Sequence, residues 1–265
     1  MKVQDIYIYP IKSLGGTRLE TSQVFIKGLK WDRRWMLVDD SGTFMTQRAL
    51  HTMALLQVNL TDKGLEVQHK LHPHQKISIP FAPETDRFME VKVWDDVVSG
   101  QIVNPQVDQW FSDILATSCH LVFMPENTSR SIKKKYAVND ETVSFADAMP
   151  YLLISQASLD DLNERLEEPV PMERFRPNIV ISGCEAFEED GWELLQIGKC
   201  KFKRTKPCAR CVMTTVDQQT GIKGKEPLKT LSKYRLSEKK VLFGQNLITL
   251  EKGVINVGDQ VNVIQ

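Results

Sequence analysis

The 265-residue chain has no long apolar run. Nothing in it approaches the roughly 18 uninterrupted apolar residues of a membrane-crossing helix, so no helical span is expected. The N-terminus "MKVQDIYIYPIKS" has no continuous apolar core of the secretory kind. Its apolar residues alternate with polar ones, as in a half-buried strand, and the location expected is cytoplasmic. There is no excess charge either. Lys plus Arg and Asp plus Glu number 34 each, which gives no reason to expect nucleic acid or an anionic membrane as a partner. Cysteine is sparse and odd in number, at five. In a reducing compartment that argues against a disulfide framework. Internal repeats, low-complexity segments and long linkers are absent, and no coiled-coil or apolar interface stripe stands out, so a monomer is the default. No regular alternation of strand and helix runs along the chain, which argues against a doubly wound fold.

What is present is mostly strand. "DIYIYP" and "RWMLVDD" read as short strands, and "DDSGTF" has the chemistry of a turn, with Gly42 free to take a positive φ. "LLQVNL" and "LEVQ" flank "TDKG" as a hairpin, and "EVKVWDDVVSGQIV" reads as strand, turn, strand. "NIVISG", "LLQIGKCKFKR", "CVMTTVD", "NLITLEKG" and "VNVI" are strand-like as well. Three helices are expected. The first follows Asn104 as N-cap and Pro105 as first residue, with Val107, Trp110, Phe111, Ile114 and Leu115 on one face. The second begins near Ser158 in "SLDD", with Leu159, Leu162 and Leu166 repeating. The third is "EPLKTLSKYR". This pattern predicts a predominantly β, α+β architecture of barrel-like character. A β-rich N-terminal region, 1–120, and a second domain, 121–265, are joined near "SIKKKYAVNDET", which reads as a mobile loop.

Two of the cysteines, Cys208 and Cys211, stand in "KPCARCVMTTVD". Thioredoxin-like chemistry wants such a pair at the start of a helix, whereas the β-branched run after Cys211 suggests a strand. Structural zinc wants four ligands, often two such pairs, and only one pair is present. The histidines of "HKLHPH" (His69, His72, His74) read as solvated loop residues in a polar hairpin. A single reactive thiolate is favoured by the flanking cations Lys206 and Arg210. Two buried, inert cysteines are the alternative.

The neighbouring segments carry more. "IYPIKSLGG", "GLKWDRRWMLVDDSGTFMTQR", "SFADAMPYLLISQASLDDLNERL", "RFRPNIVISG", "KPCARCVMTTVDQQTG", "EPLKTLSKYR", "FGQNL" and "GVINVGDQV" follow one another along nearly the whole chain. Together they resemble the MOSC family (molybdenum cofactor sulfurase C-terminal domain) with its N-terminal β-barrel region. Within the family they are most similar to bacterial YcbX-like proteins and the mitochondrial amidoxime-reducing component.

The resemblance implies a MOSC fold and a molybdenum–molybdopterin cofactor (Moco), with no role for pyridoxal phosphate. Cys211 is implied as metal ligand and catalytic residue, and Cys208 as its neighbour. A soft thiolate suits such a metal. Cofactor-binding roles are implied for Lys12, Ser13, Arg33, Asp147, Arg176, Asn178, Arg210 and Asn246. Arg34 is the alternative to Arg33, and Gln245 is a further lining residue. Fixed cations suit a phosphate-bearing pterin. The activity implied is reduction of N-hydroxylated compounds (amidoximes, hydroxylamines, N-hydroxylated base analogues), with water released. The chain shows no cysteine run of the ferredoxin type, so the electrons are expected from a separate donor protein of a ferredoxin- or flavodoxin-type reductase system. The rival is a non-catalytic module that carries the cofactor, or a persulfide on Cys211.

Overall fold

The structure, a computed structural model, describes residues 1–264. Its largest sheet has nine strands. Eight follow in the order Val261–Ile264, Leu194–Ile197, Cys200–Ala209, Lys240–Thr249, Tyr151–Ser155, Ile179–Ser182, Lys2–Ile8 and Thr17–Leu19, and Leu236–Ser237 pairs onto Lys240–Thr249. The sheet curls until its Val261–Ile264 end approaches Lys2–Ile8, the strand next to its other edge. Val3 N–H donates to the Asp259 carbonyl, Gly258 N–H to Val3, and Val261 N–H to Met1. Alternation along the strands points Val3, Ile6, Ile8, Leu153, Ile179, Ile181, Leu195, Phe202 and Leu247 into a shared core. The first strand of the chain thus lies beside Ile179–Ser182, far away in sequence. Three smaller sheets of four, three and three strands come mainly from residues 21–123. A predominantly β, α+β fold is what the patterning predicts.

The hairpins also fall where expected. Thr61 N–H donates to the Gly64 carbonyl between Leu56–Leu60 and Gly64–His69, and Gly42 takes φ +79 in its turn. Helix α1, Pro105–Leu115, starts as predicted, with the Asn104 side chain accepting from Val107 N–H (2.8 Å).

Helix α2, Gln156–Asn163, departs from expectation: its cap is Ser155, which accepts from Ser158 N–H. Ser158 lies inside the first turn, and its hydroxyl donates to buried Glu189 (2.8 Å), a partner that the local sequence does not reveal. The helix ends before Leu166. It also connects Tyr151–Ser155 to Ile179–Ser182 as a parallel pair within an otherwise antiparallel sheet. Helix α3 is Leu228–Tyr234.

A second departure concerns "CVMTT". It is a single 3-10 turn, Val212–Thr215, and not a strand. The Thr214 and Thr215 hydroxyls donate back to the Cys211 and Val212 carbonyls (3.0 and 2.8 Å). Threonine satisfies a turn in this way, which β-branching alone does not foretell. The "SIKKKYAVNDET" segment also has order of its own. Ser131 bridges Thr142, and Glu141 accepts from the N–H groups of Val138 and Asn139.

Candidate active site

A cavity of about 620 Å³ gathers residues from both halves of the chain. All nine residues singled out from the motifs line it: Lys12, Ser13, Arg33, Asp147, Arg176, Asn178, Arg210, Cys211 and Asn246. Eight lysine and arginine side chains face it, against only two carboxylates, Asp147 and Glu238. A chain of zero net charge has thus concentrated positive charge at one place.

The N-terminal half supplies cations that already have partners. Lys12 is buried, and its Nζ donates to Asp147 (2.5 Å) and to the Phe145 carbonyl (2.7 Å). Burial pushes its pKa down to about 8, against the opposing pull of Asp147. Asp147 also accepts from Arg48 and from Trp94 Nε1, both at 3.2 Å. Burial alone would raise the Asp147 pKa, but Lys12 and Arg48 outweigh it and hold the carboxyl well below the usual carboxylate range. Arg130 fixes this segment from behind by donating to the carbonyls of Ser144, Ala146 and Asp147.

Arg33 and Arg34 diverge because Arg33 takes a left-handed φ of +50. Arg33 faces the cavity, bonded to the fully buried Asp32 (2.6 and 2.7 Å) and to the Arg176 carbonyl (3.1 Å). Arg34 points elsewhere, to Glu126 and the Met124 carbonyl. Ser13, at φ +68, lies beside Lys12 on the cavity wall.

The C-terminal half is mixed: Arg174 pairs with Asp217 (2.9 Å), whereas Arg176 does not pair. Arg176, at φ +56 and 9% exposed, stacks over the Tyr9 ring at 4.1 Å. Arg33 covers the same ring at 4.3 Å. Among the described residues the Arg176 guanidinium has no hydrogen-bond acceptor and no ion pair. Burial and the neighbouring Arg33 push its pKa down to about 10, so it remains charged at neutral pH. Arg210 donates to Cys208 Sγ (3.0 Å) and to the Phe175 carbonyl (2.6 Å). Cys208 is therefore occupied by a cation. Cys211, half-buried at the start of the 3-10 turn, makes no side-chain hydrogen bond among the described residues. Within the pair, Cys211 is the sulfur left open to a ligand.

Two residues serve the wall more than its contents. Asn178 accepts from Leu152 N–H (3.2 Å) and donates to the Tyr7 carbonyl (3.1 Å), so its amide ties three strands together. Asn246 leans on the carbonyls of Lys206 and Pro207 (3.4 and 3.3 Å). Gln245 is directed away, donating to Asp190 (2.6 Å), because adjacent strand residues face opposite sides. Sequence reasoning passed over Arg48, Tyr136, Arg174 and Glu238, which also line the cavity. Arg48 and Arg174 lie inside "FMTQR" and "RFRPN" and were findable there. Tyr136 and Glu238 come from loops with no motif. Among the described residues no group of three or more His, Cys, Asp or Glu side chains is arranged to hold a metal.

A barrel whose end gathers a single open thiol among fixed cations defines a class of protein suited to an anionic, sulfur-ligated cofactor. The chain belongs to the MOSC family: residues 140–262 match the MOSC domain and residues 1–118 the MOSC N-terminal beta barrel domain. It is 35% identical to mitochondrial amidoxime-reducing component 1 of Mus musculus, over 99% of this chain and 82% of that protein. Identity is 37% to mitochondrial amidoxime reducing component 2 of Rattus norvegicus, over 98% and 82%. It is 34% to component 1 of Homo sapiens, over 99% and 82%. Among solved structures, the YUAD protein from Bacillus subtilis aligns over 100% of this chain and 96% of its own, at 10% identity and a TM-score of 0.43. The relatives' names correct one expectation. They are mitochondrial, which overturns the cytoplasmic location read from the N-terminal segment and the lack of a long apolar run. Such features report suitability for water, and two aqueous compartments do not differ in that; an address is read by a receptor.

Proposed function

We propose that the protein is a molybdenum-cofactor-dependent reductase of N-hydroxylated compounds, amidoximes among them, served by a separate electron-donor protein. The observation that carries this reading is the open Cys211 thiol in a cavity whose buried Arg176 guanidinium has no acceptor of its own.

The residues fit the group. A buried, unpaired guanidinium is costly unless a ligand supplies the missing anion, and the phosphate of a pterin is such an anion. Cys211 offers one soft ligand and Cys208, held by Arg210, does not compete. Arg176, Arg33, Lys12 and Arg210 would bind and orient the cofactor, and Ser13 and Asn246 would add polar contacts. Asp147 would act through Lys12 and Arg48, fixing where their charges sit. When bound, the molybdenum centre supplies the two-electron reduction that cleaves the N–O bond. A small acidic carrier of ferredoxin or flavodoxin type suits the basic lining as electron donor.

The test is metal and pterin content of the wild type, Cys208→Ser and Cys211→Ser, made in a host that synthesises the cofactor. Molybdenum and pterin in the wild type, with molybdenum lost on changing Cys211, support the reading. So does amidoxime reduction once a donor protein is added. A loaded protein that reduces no N-hydroxylated compound with any donor would instead be a cofactor or sulfur carrier.

A further inference from the structure

Glu238 is one of the two carboxylates on the cavity wall. The other, Asp147, already accepts from Lys12, Arg48 and Trp94. Among the described residues Glu238 has neither an ion pair nor a side-chain hydrogen bond. It sits at the tip of a two-residue hairpin closed by the pairs Ser237–Lys240 and Leu236–Val241. Both tip residues are left-handed, Glu238 at φ +47 and Lys239 at φ +62. Asn and Gly adopt that conformation readily; Glu does not.

The base of the hairpin is fixed. Arg235 is bonded to Asp190 (2.5 Å) and to the Leu242 carbonyl (3.4 Å), and it covers the Phe187 ring. On the other side, Arg210 N–H donates to the Val241 carbonyl (2.7 Å), and Ala209 pairs with Leu242. The ladder ends there, and Glu238 lies beyond it, exposed to solvent on the cavity wall. A free carboxylate is thereby held beside a strongly cationic chamber.

Reduction of an amidoxime makes such a carboxylate useful. The N–O bond breaks, two electrons arrive from the donor protein, and three protons are taken up. The oxygen leaves as water and the product is an amidinium cation. Positive charge then develops inside a cavity already rich in it, where a counter-charge favours the reaction. We propose that Glu238 supplies this counter-charge and is a specificity-determining residue, favouring N-hydroxylated substrates whose products are cations. The assignment rests on the reductase reading.

Benzamidine, a cation, and benzamide, its neutral counterpart, test it by direct binding to the cofactor-loaded protein. Glu238→Gln, at an exposed rim position, should weaken benzamidine binding about two- to fivefold and leave benzamide binding and molybdenum content unchanged. Glu168→Gln, an exposed carboxylate outside the cavity, should change neither. In turnover, kcat/KM for benzamidoxime should fall by a similar factor relative to benzhydroxamic acid, whose product is neutral. Equal effects on both ligands, no effect on either, or loss of molybdenum would overturn the assignment. A wild type that reduces nothing but still shows the Glu238-dependent preference for benzamidine would defeat the reductase reading alone, leaving the cation preference in place.

Discussion

On the N-terminal side of the cavity Lys12 meets Asp147 at 2.5 Å and Arg33 meets Asp32 at 2.6 Å, whereas Arg176, from the C-terminal half, has an aromatic ring beneath it and no acceptor. The paired cations have set positions and a largely cancelled charge. Arg176, buried without a carboxylate, keeps its full charge at the expense of burial. A site built only of pairs would be rigid but electrostatically quiet, and one built only of free guanidiniums would repel itself. Here the pairs shape the chamber, and the cations that meet no carboxylate among the described residues, Arg176, Lys206, Arg210 and Lys240, give it its pull on an anion.

The largest change expected comes from Cys211→Ser. It should abolish molybdenum retention and reductase activity while the thermal midpoint of the cofactor-free protein stays within about 1 °C, because the thiol supports no hydrogen bond in the fold. Metal analysis beside a melting curve reads both, and retained molybdenum would reject the assignment.

Arg176→Met sharpens the contrast next. Loss of a charge-assisted contact, about 1.5–3 kcal/mol, should weaken cofactor retention roughly tenfold to a hundredfold. The cofactor-free protein should be as stable or more stable by about 1 kcal/mol, since no partner is orphaned. A marked drop in cofactor-free stability would show that Arg176 belongs with the paired cations.

Asp147→Asn should behave in the opposite way. It leaves buried Lys12 without its counter-charge and should destabilise the cofactor-free protein. The carboxyl is half-exposed at 51%, which brings the cost down to about 1–2 kcal/mol. Adding Lys12→Met should restore much of the loss, a coupling that a double-mutant cycle measures.

The smallest effect is a dependence on pH. The folded pKa of Lys12, about 8, lies below its unfolded value of roughly 10.4. Between these values the unfolded chain binds more protons, so Lys12 makes stability rise with pH, by up to about 1 kcal/mol per unit. Denaturant titrations at pH 8 and 9 should show that rise in wild type and its loss in Lys12→Met. Identical slopes would mean that Lys12 is not desolvated.

Much of this site was legible in the chain. Asn104 followed by Pro105 announced α1, and motifs scattered from Lys12 to Asn246 named nine residues that line a single cavity. The choice between Arg33 and Arg34 needed a backbone reversal that neither residue type favours. The Ser155 cap depended on Glu189, 34 residues away. The 3-10 turn after Cys211 depended on threonine hydroxyls that could equally have faced out from a strand.

By itself the sequence determined the strand-rich class, the start of α1 and the identities of the groups that bear chemistry, because periodicity, a strong cap and residue type are local properties. Tertiary structure alone decided which charges meet. Asp147 lies 135 residues from Lys12, and only closure of the sheet and packing of the loops against it set which cations are neutralised and which thiol is left open. Those pairings depend on distances of a few ångströms through a poorly polarisable interior, and no local pattern encodes them.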